Sequence, residues 1–210
     1  MFENLYPDGT RHLVWSYHLF DLLDAGVFSP AQRKRIVSRL RDGEFLAPFG
    51  MYSISKLDQV HWDLEDVDWG GGGQYTGMPL RIAESLYRLG SGELAWNILE
   101  RCTRWTRMYH YIPQEIFGDF PGYPEVEMPL EIAAGSGAQA ILFGVFGLRP
   151  RADGSLDVAP SYQAALGNAS MTGYQFRGHS YDVAMNRGEF KVYRDGKLAG
   201  RKPYPGLVRF

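Results

Sequence analysis

The chain has 210 residues, with 22 Lys and Arg against 24 Asp and Glu, so its formal net charge is −2. Because 45% of the residues are hydrophobic and 14% are aromatic, the chain can bury a core, which excludes a disordered protein. The sequence contains no run of about 18 uncharged apolar residues, so we expect no transmembrane helix and no membrane partner. The near-neutral charge argues against nucleic acid as the main partner. A single cysteine, Cys102, excludes an internal disulfide framework and a cysteine zinc site.

The first eleven residues, MFENLYPDGTR, carry none of the marks of a secretory signal. They lack the basic start and the apolar run that such a signal needs. The compartment stays open on these grounds, with the cytoplasm slightly favoured.

The sequence pattern changes after Arg149 from helical periodicity to short alternating runs. Proline, glycine and charged residues cluster at this point in RPRADGS. Residues 1–149 are predicted to be a helical region and residues 150–210 a small antiparallel β-domain. Five helices are expected in the first region. The first spans about 11–25, and the second begins at Ser29-Pro30 with a serine cap and a first-turn proline. The third begins near Pro79, the fourth begins after Ser91-Gly92, and the fifth spans about 130–146.

The apolar patterns of these helices suggest layers. The first and fifth are apolar on most sides, as in buried helices, whereas the second and fourth are one-sided. The fourth carries a stripe that includes Cys102 and Trp105, so Cys102 is expected to be an inert core thiol. Helical hairpins in concentric layers would produce this alternation, and a two-layer helical pack is the alternative.

The tail predicts short strands joined by tight turns. Residues 181–185 and 190–193 alternate in the manner of a hairpin, and Asp195-Gly196 is typical of a type I′ turn. Residues 156–158, 174–176 and 207–210 are further strand candidates. A small antiparallel sheet or sandwich fits this pattern.

Two long loops, 49–78 and 109–128, mix carboxylates with aromatic rings. Loops of this length are usually functional, and their aromatic content argues against disorder. Rings can stack on the apolar faces of sugars, and glycoside hydrolysis uses two carboxyl groups. For any single ring, a packing role is the alternative. The candidate rings are Trp62, Trp69, Tyr75, Tyr109, Tyr111, Phe117, Phe120 and Tyr123, and the candidate acids are Asp63, Glu65, Asp66, Asp68, Glu115, Asp119, Glu125 and Glu127.

The order of several short motifs resembles the C-terminal part of six-hairpin, (α/α)6-barrel glycoside hydrolases of the glucosidase, trehalase and rhamnosidase kind. These motifs are FLAPFG at 45–50 with Ser53 and Ser55, WGGGGQYTGMP at 69–79, Glu115 with Gly118-Asp119 and Gly122, and AAGSGA at 133–138. The resemblance implies a mainly α fold with a β tail, that is, a partial (α/α)6 toroid followed by a small antiparallel sheet or sandwich.

The same resemblance implies inverting hydrolysis of a glycosidic bond, with Glu115 as the general base and Glu125 and Glu127 in reserve. An oligosaccharide or glycoside is the expected substrate. Its general acid would come from sequence upstream of this chain, which we therefore expect to be part of a larger barrel. An upstream domain or a second copy would cover the exposed inner helices. The expected substrate contacts are Trp62, Asp66, Asp68, Trp69, Gln74, Tyr75, Tyr111, Phe117 and Asp119.

Two alternatives stay open at this point. The first is a non-catalytic carbohydrate-binding or interaction protein derived from a truncated barrel. The second concerns the acids between Asp63 and Asp68, which could bind calcium, although a solvated loop or hydroxyl-binding acids are favoured over it. The five histidines show no paired spacing, so no metal site and no cofactor are expected.

Overall fold

A computed structural model describes residues 4–62, 72–75, 77, 79–108, 115–116 and 131–210. The chain divides into two compact units. The first unit comprises Met1–Ile82 and Asn97–Gly137, and the second comprises Ala83–Trp96 and Ala138–Phe210. Each unit is described by itself below.

The first unit contains a small antiparallel sheet near the middle of the sequence. Its strands are β3 (Leu46–Ala47), β4 (Gly50–Tyr52), β5 (Gln74–Tyr75) and β6 (Glu115–Ile116), in the order β3-β4-β5-β6. A separate hairpin near the N-terminus pairs β1 (Asn4–Leu5) with β2 (Arg11–His12). Met51 and Tyr75 are fully buried in the four-stranded sheet, so this sheet contributes to the core of the unit.

The segment expected to be the first helix, 11–25, is not an α-helix. It begins with β2 and later forms a short 3-10 helix over Tyr17–Leu22. Its backbone pairs instead with the segment after β4. The amide of Tyr17 donates to the Ser53 carbonyl at 3.0 Å, and the amide of Ser55 donates to the Trp15 carbonyl at 2.8 Å. These long-range hydrogen bonds override the local helical pattern.

The other four helices are confirmed. Helix α1 (Pro30–Val37) begins with a capping box between Ser29 and Gln32. Helix α2 spans Pro79–Arg88 and helix α3 spans Gly92–Met108. Helix α4 (Glu131–Gln139) continues as a turn of π-helix over Ala140–Val145.

The stripe predicted on α3 is buried. The Trp105 ring is fully buried and meets the Phe49 ring edge-on, with centroids 5.9 Å apart. Burial raises the pKa of the neighbouring Cys102 thiol to about 12, so the thiolate is suppressed and the prediction of an inert core thiol is confirmed. Across the described residues, no helix is both long enough and apolar enough to span a membrane.

The second unit contains two antiparallel sheets. The larger has the order β12-β11-β10-β9, and the smaller has the order β13-β8-β7. The strands are β7 (Leu148–Pro150), β8 (Leu156–Val158), β9 (Ala169–Phe176), β10 (His179–Met185), β11 (Glu189–Arg194), β12 (Lys197–Pro203) and β13 (Val208–Arg209). The predicted hairpin is confirmed, with Val183 opposite Val192. Positive φ angles at Asp195 (51°) and Gly196 (75°) confirm the type I′ turn.

Alternate residues of these strands form the core of the second unit. Val183 on β10 and Val192 on β11 are fully buried, as are Leu156 and Val158 on β8. A buried carboxylate, Asp157, is held at the sheet by the guanidinium of Arg209, whose Nη2 donates at 2.8 Å. The Arg209 hydrogen bond dominates in lowering the pKa of Asp157, so the carboxylate stays charged despite its burial.

The predicted fold class, mainly α with a β tail as a partial (α/α)6 toroid, is wrong. Strands and helices both recur along the described residues, and antiparallel sheets lie in both units. Residues 45–52, read as part of a helical barrel, form the β3–β4 hairpin, because the antiparallel pairing of Leu46 with Met51 buries both side chains. The proposed boundary at 149/150 stays a prediction.

A substitution at Gly147 tests how closely the backbone is packed in the second unit, between the π-helical turn and β7. A Cβ at Gly147 (φ +64°) would lie 2.0 Å from the Ala159 carbonyl oxygen, whereas a Cβ at Gly196 (φ +75°) would meet nothing within 4 Å. We expect Gly196→Ala to lower the free energy of unfolding by about 1–2 kcal/mol through backbone strain. Gly147→Ala should cost clearly more, because the backbone at Ala159 must also move. Urea unfolding measures both, and equal losses would contradict the packing described here.

Candidate functional site

A polar and aromatic cluster forms where the chain leaves β4 in the first unit. Residues 53–62 turn back along Trp15–Tyr17, and the amide of Trp62 closes the turn by donating to the Asp58 carbonyl at 3.0 Å. Ser53 and Ser55 are buried under this turn. The turn therefore presents Lys56, Asp58, His61 and Trp62 from one short segment.

Asp58 is the buried centre of the cluster, with a relative exposure of 8%. Its Oδ2 accepts from the Trp15 amide at 2.9 Å, and its Oδ1 accepts from the His61 amide at 3.3 Å. Burial raises the pKa of Asp58, but the hydrogen bonds from Trp15 and His61 together outweigh it and bring the pKa below its ordinary value. The carboxylate is therefore charged at neutral pH.

His61 connects this carboxylate to a second histidine. Its Nδ1 lies 2.9 Å and 3.0 Å from the two Asp58 oxygens, and its Nε2 lies 3.0 Å from Nε2 of His12. The two rings are nearly perpendicular, with centroids 4.8 Å apart. An anionic Asp58 can only accept, so His61 carries its proton on Nδ1 when neutral, and its Nε2 faces His12 as an acceptor. We call this arrangement the Asp58–His61–His12 chain.

Aromatic rings lie beside the Asp58–His61–His12 chain. The half-buried Trp62 ring meets the Tyr52 ring edge-on, with centroids 5.2 Å apart. The ammonium of Lys56 lies 4.5 Å from the Tyr52 centroid and 5.7 Å from the Trp62 centroid, within cation–π range of both. The cluster therefore combines a partly exposed indole with a cation and a buried anion.

Three of the sequence-predicted site residues, two substrate contacts and the catalytic base, have described backbone positions in the sheet. Gln74 is buried, and its Oε1 accepts from the Phe49 amide at 3.0 Å. Tyr75 is fully buried and packs on Tyr17, with centroids 4.7 Å apart. The backbone of Glu115, the predicted base, pairs opposite Tyr75 across β5 and β6. Asp66, Asp68, Trp69, Tyr111, Phe117 and Asp119 lie outside the described residues, as do Glu125 and Glu127.

The sequence analysis missed the Asp58–His61–His12 chain. Asp58 and His61 are three residues apart, a spacing that places both side chains on one turn. This three-residue spacing can be read from the sequence, but it occurs in many proteins and does not by itself indicate a site. His12 lies 49 residues from His61, and only the fold brings the two rings together. Within the described ranges, no group of three or more His, Cys, Asp or Glu side chains converges as a metal site.

The second unit has an open groove of about 810 Å³ at the start of α3. Its polar lining includes Glu93, Ser161, Gln163 and Arg187, and Tyr162 adds an aromatic ring. The Gln163 amide donates to the Ser161 hydroxyl at 3.3 Å. Hydroxyl, amide and charged groups of this kind suit a polar ligand with several hydrogen-bonding groups.

Comparison with known proteins gives a likeness at the level of fold. No family model matches the chain, and no curated protein matches it. A solved structure titled "Sialidase" superposes with a TM-score of 0.77 at 12% sequence identity, over 99% of this chain and 21% of that chain. The chain therefore spans about a fifth of the sialidase chain. At this identity the likeness shows the fold alone.

The resemblance to six-hairpin, (α/α)6-barrel glycosidases is therefore wrong. The structure is similar to a sialidase, and small antiparallel sheets occupy much of it. The motifs that carried the resemblance are short, and their order along the chain does not determine whether they lie in helices or strands. FLAPFG, for example, leads through β3 into β4.

Asp58 makes the cluster sensitive to acid. Its pKa is lower in the folded protein than in the unfolded chain, so its stabilising effect is present above the ordinary carboxyl pKa and disappears as pH falls through the folded-state pKa. We expect Asp58→Asn to lower the free energy of unfolding at pH 6–7. The difference from the wild type should shrink below about pH 4.

Denaturant unfolding between pH 3 and pH 7 measures this difference. Asp42→Asn is the control, because the Asp42 side chain is 78% exposed even though it pairs with Arg101. It should change stability little at any pH. An Asp58→Asn effect that is constant over this range would contradict the charged state assigned to Asp58.

Proposed function

We propose that this chain is a carbohydrate-binding portion of a glycoside hydrolase. The observation that carries the proposal is the partly exposed Trp62 ring beside Lys56 and the Asp58–His61–His12 chain. The likeness in fold to a protein titled "Sialidase" agrees with a carbohydrate-related role. The chain covers only a fifth of that protein, so the activity of a longer protein is part of the proposal.

The chemistry of the cluster suits a sugar. An indole face excludes water from the C–H face of a pyranose ring, and neighbouring charged groups can hydrogen-bond its hydroxyls. Lys56 donates, and His61 and His12 can donate or accept according to their protonation. Trp62 is partly exposed, whereas Tyr75 is fully buried and supports the sheet from within.

For catalysis, we propose Glu115 as the general base of an inverting hydrolysis. It would deprotonate the water that attacks the anomeric carbon. The general acid would come from sequence upstream of this chain. Glu115 lies in the long second loop, where its backbone pairs with β5.

Removal of the Trp62 ring tests sugar binding by the chain itself. We expect Trp62→Ala to lose most binding on a glycan array and in calorimetric titration with the strongest glycan found there, because the stacking surface is gone. Trp62→Phe should keep part of it. Leu57→Ala is the matched control, since Leu57 lies in the same turn and is 49% exposed. Full binding by a folded Trp62→Ala variant would refute this site.

The role of Glu115 is tested in the chain joined to the sequence that supplies the acid. Glu115→Gln keeps the shape of the side chain but removes its basicity, so we expect kcat to fall by about 10²–10⁴-fold with little change in KM. Glu125→Gln and Glu127→Gln are the matched controls and should stay within about 0.5 kcal/mol of wild-type stability with near-normal turnover. Full turnover by Glu115→Gln would show that the base lies elsewhere.

A second function is non-catalytic carbohydrate binding. The polar groove of the second unit favours it, because Glu93, Gln163 and Arg187 offer hydroxyl-binding groups without an arrangement for hydrolysis. Glycan binding that persists in Trp62→Ala and is lost in Tyr162→Ala would place the binding surface there. Absence of turnover from the chain joined to its upstream sequence would then favour the binding function over the hydrolase.

A further inference from the structure

We propose that His12 and His61 form a two-histidine site for a divalent transition metal ion, with Cu²⁺ or Ni²⁺ the best fit. The proposal rests on the geometry of the two imidazoles and is independent of the proposed carbohydrate function. Both residues belong to the first unit.

The separation of the two nitrogens matches a shared ion. Nε2 of His12 and Nε2 of His61 lie 3.0 Å apart. An ion bound at about 2.0–2.1 Å from each nitrogen would subtend an angle of roughly 90–100° between them. This is the angle between neighbouring ligands in square-planar or tetragonal coordination, the geometry of Cu²⁺ and Ni²⁺ with nitrogen and oxygen donors.

Asp58 prepares His61 for this role. Histidines that bind metals almost always donate their other ring N–H to a carboxylate or carbonyl, which fixes the tautomer and the ring orientation. Nδ1 of His61 lies 2.9 Å and 3.0 Å from the Asp58 oxygens, and that carboxylate is anchored by the Trp15 amide. The Nε2 lone pair of neutral His61 is therefore directed away from Asp58 and toward His12.

Solvent can reach both imidazoles. His12 is exposed on β2, and the His61 side chain is 21% exposed, so water can complete the coordination. His12 is held by the pairing of its strand with Asn4 of β1. In the metal-free protein, the Nε2–H of a neutral His12 can donate to Nε2 of a neutral His61. An ion bound to both Nε2 atoms requires the other tautomer of His12, in which Nδ1 carries the proton, so the proton moves within the ring and none is lost from a neutral imidazole.

Two other histidines serve as matched controls. Nδ1 of His18 lies 3.2 Å from an Asp21 oxygen, and Nδ1 of His179 lies 2.7 Å from an Asp195 oxygen. Each has the histidine–carboxylate contact found at His61. His179 has no second imidazole within hydrogen-bonding distance among the described residues. If a histidine–carboxylate pair alone bound the ion, these two would bind it as well as His61 does.

The test is calorimetric titration of the full chain with Cu²⁺ at pH 7.5, paired with electron paramagnetic resonance. We expect one tight equivalent, with nitrogen coupling from two imidazoles. His12→Ala and His61→Ala should each weaken it at least tenfold and leave a one-nitrogen signal. Asp58→Asn should weaken binding by about 10–100-fold, as expected for loss of an outer-shell partner. His18→Ala and His179→Ala should leave the tight site unchanged.

Because His12 is exposed, His12→Ala is expected to fold, and a thermal melt checks this. Unchanged affinity in folded His12→Ala would overturn the proposal. Loss of the tight site in His18→Ala or His179→Ala would also overturn it, as would a wild-type spectrum with a single coordinating nitrogen. Failure of sugar binding would leave these outcomes unaffected, which separates this proposal from the carbohydrate function.

Discussion

The burial of one carboxylate, Asp58, constrains the candidate site more than any other interaction described in the first unit. A buried anion is costly unless hydrogen bonds compensate it, and Asp58 obtains them from the Trp15 amide and from His61. The first contact fixes the chain before Tyr17 against the turn after β4. The second fixes the His61 ring. A single desolvated group thus determines both a backbone path and the orientation of a potential ligand or base.

The sequence predicted well the elements that are specified by neighbouring residues. The serine cap at Ser29, the buried stripe of α3 and the type I′ turn at Asp195-Gly196 all depend on contacts within a few positions, and all are present. Prediction failed where distant segments pair. Residues 11–25 are apolar enough for a buried helix, but Trp15 and Tyr17 bond to Ser55 and Ser53 instead. Of the site, Trp62 was predicted, whereas the approach of His12 to His61 depends on the fold and has no local signature.

The error in fold class has a related cause. Glycine, carboxylate and aromatic motifs in a given order are compatible with several architectures. Each motif reflects the local chemistry of a few neighbouring residues, and none of them determines which distant segments pair. The β3–β4 hairpin and the two sheets of the second unit supply that missing information. The likeness to a sialidase at 12% identity is of the same limited kind, since one fold can carry unrelated sites. Function therefore has to be argued from the cluster itself.

Within the cluster, adjacent residues serve separable purposes. Trp62 offers a stacking surface, and its contacts are with Tyr52 and Lys56. His61, one position earlier, is directed by Asp58 toward His12. An ion on the two Nε2 atoms would occupy the lone pairs that could otherwise accept a sugar hydroxyl, but it would leave the indole face unchanged. If both ligands bind, the ion can alter the polar part of sugar recognition without altering the apolar part, and Asp58 would influence both through the single ring that it holds.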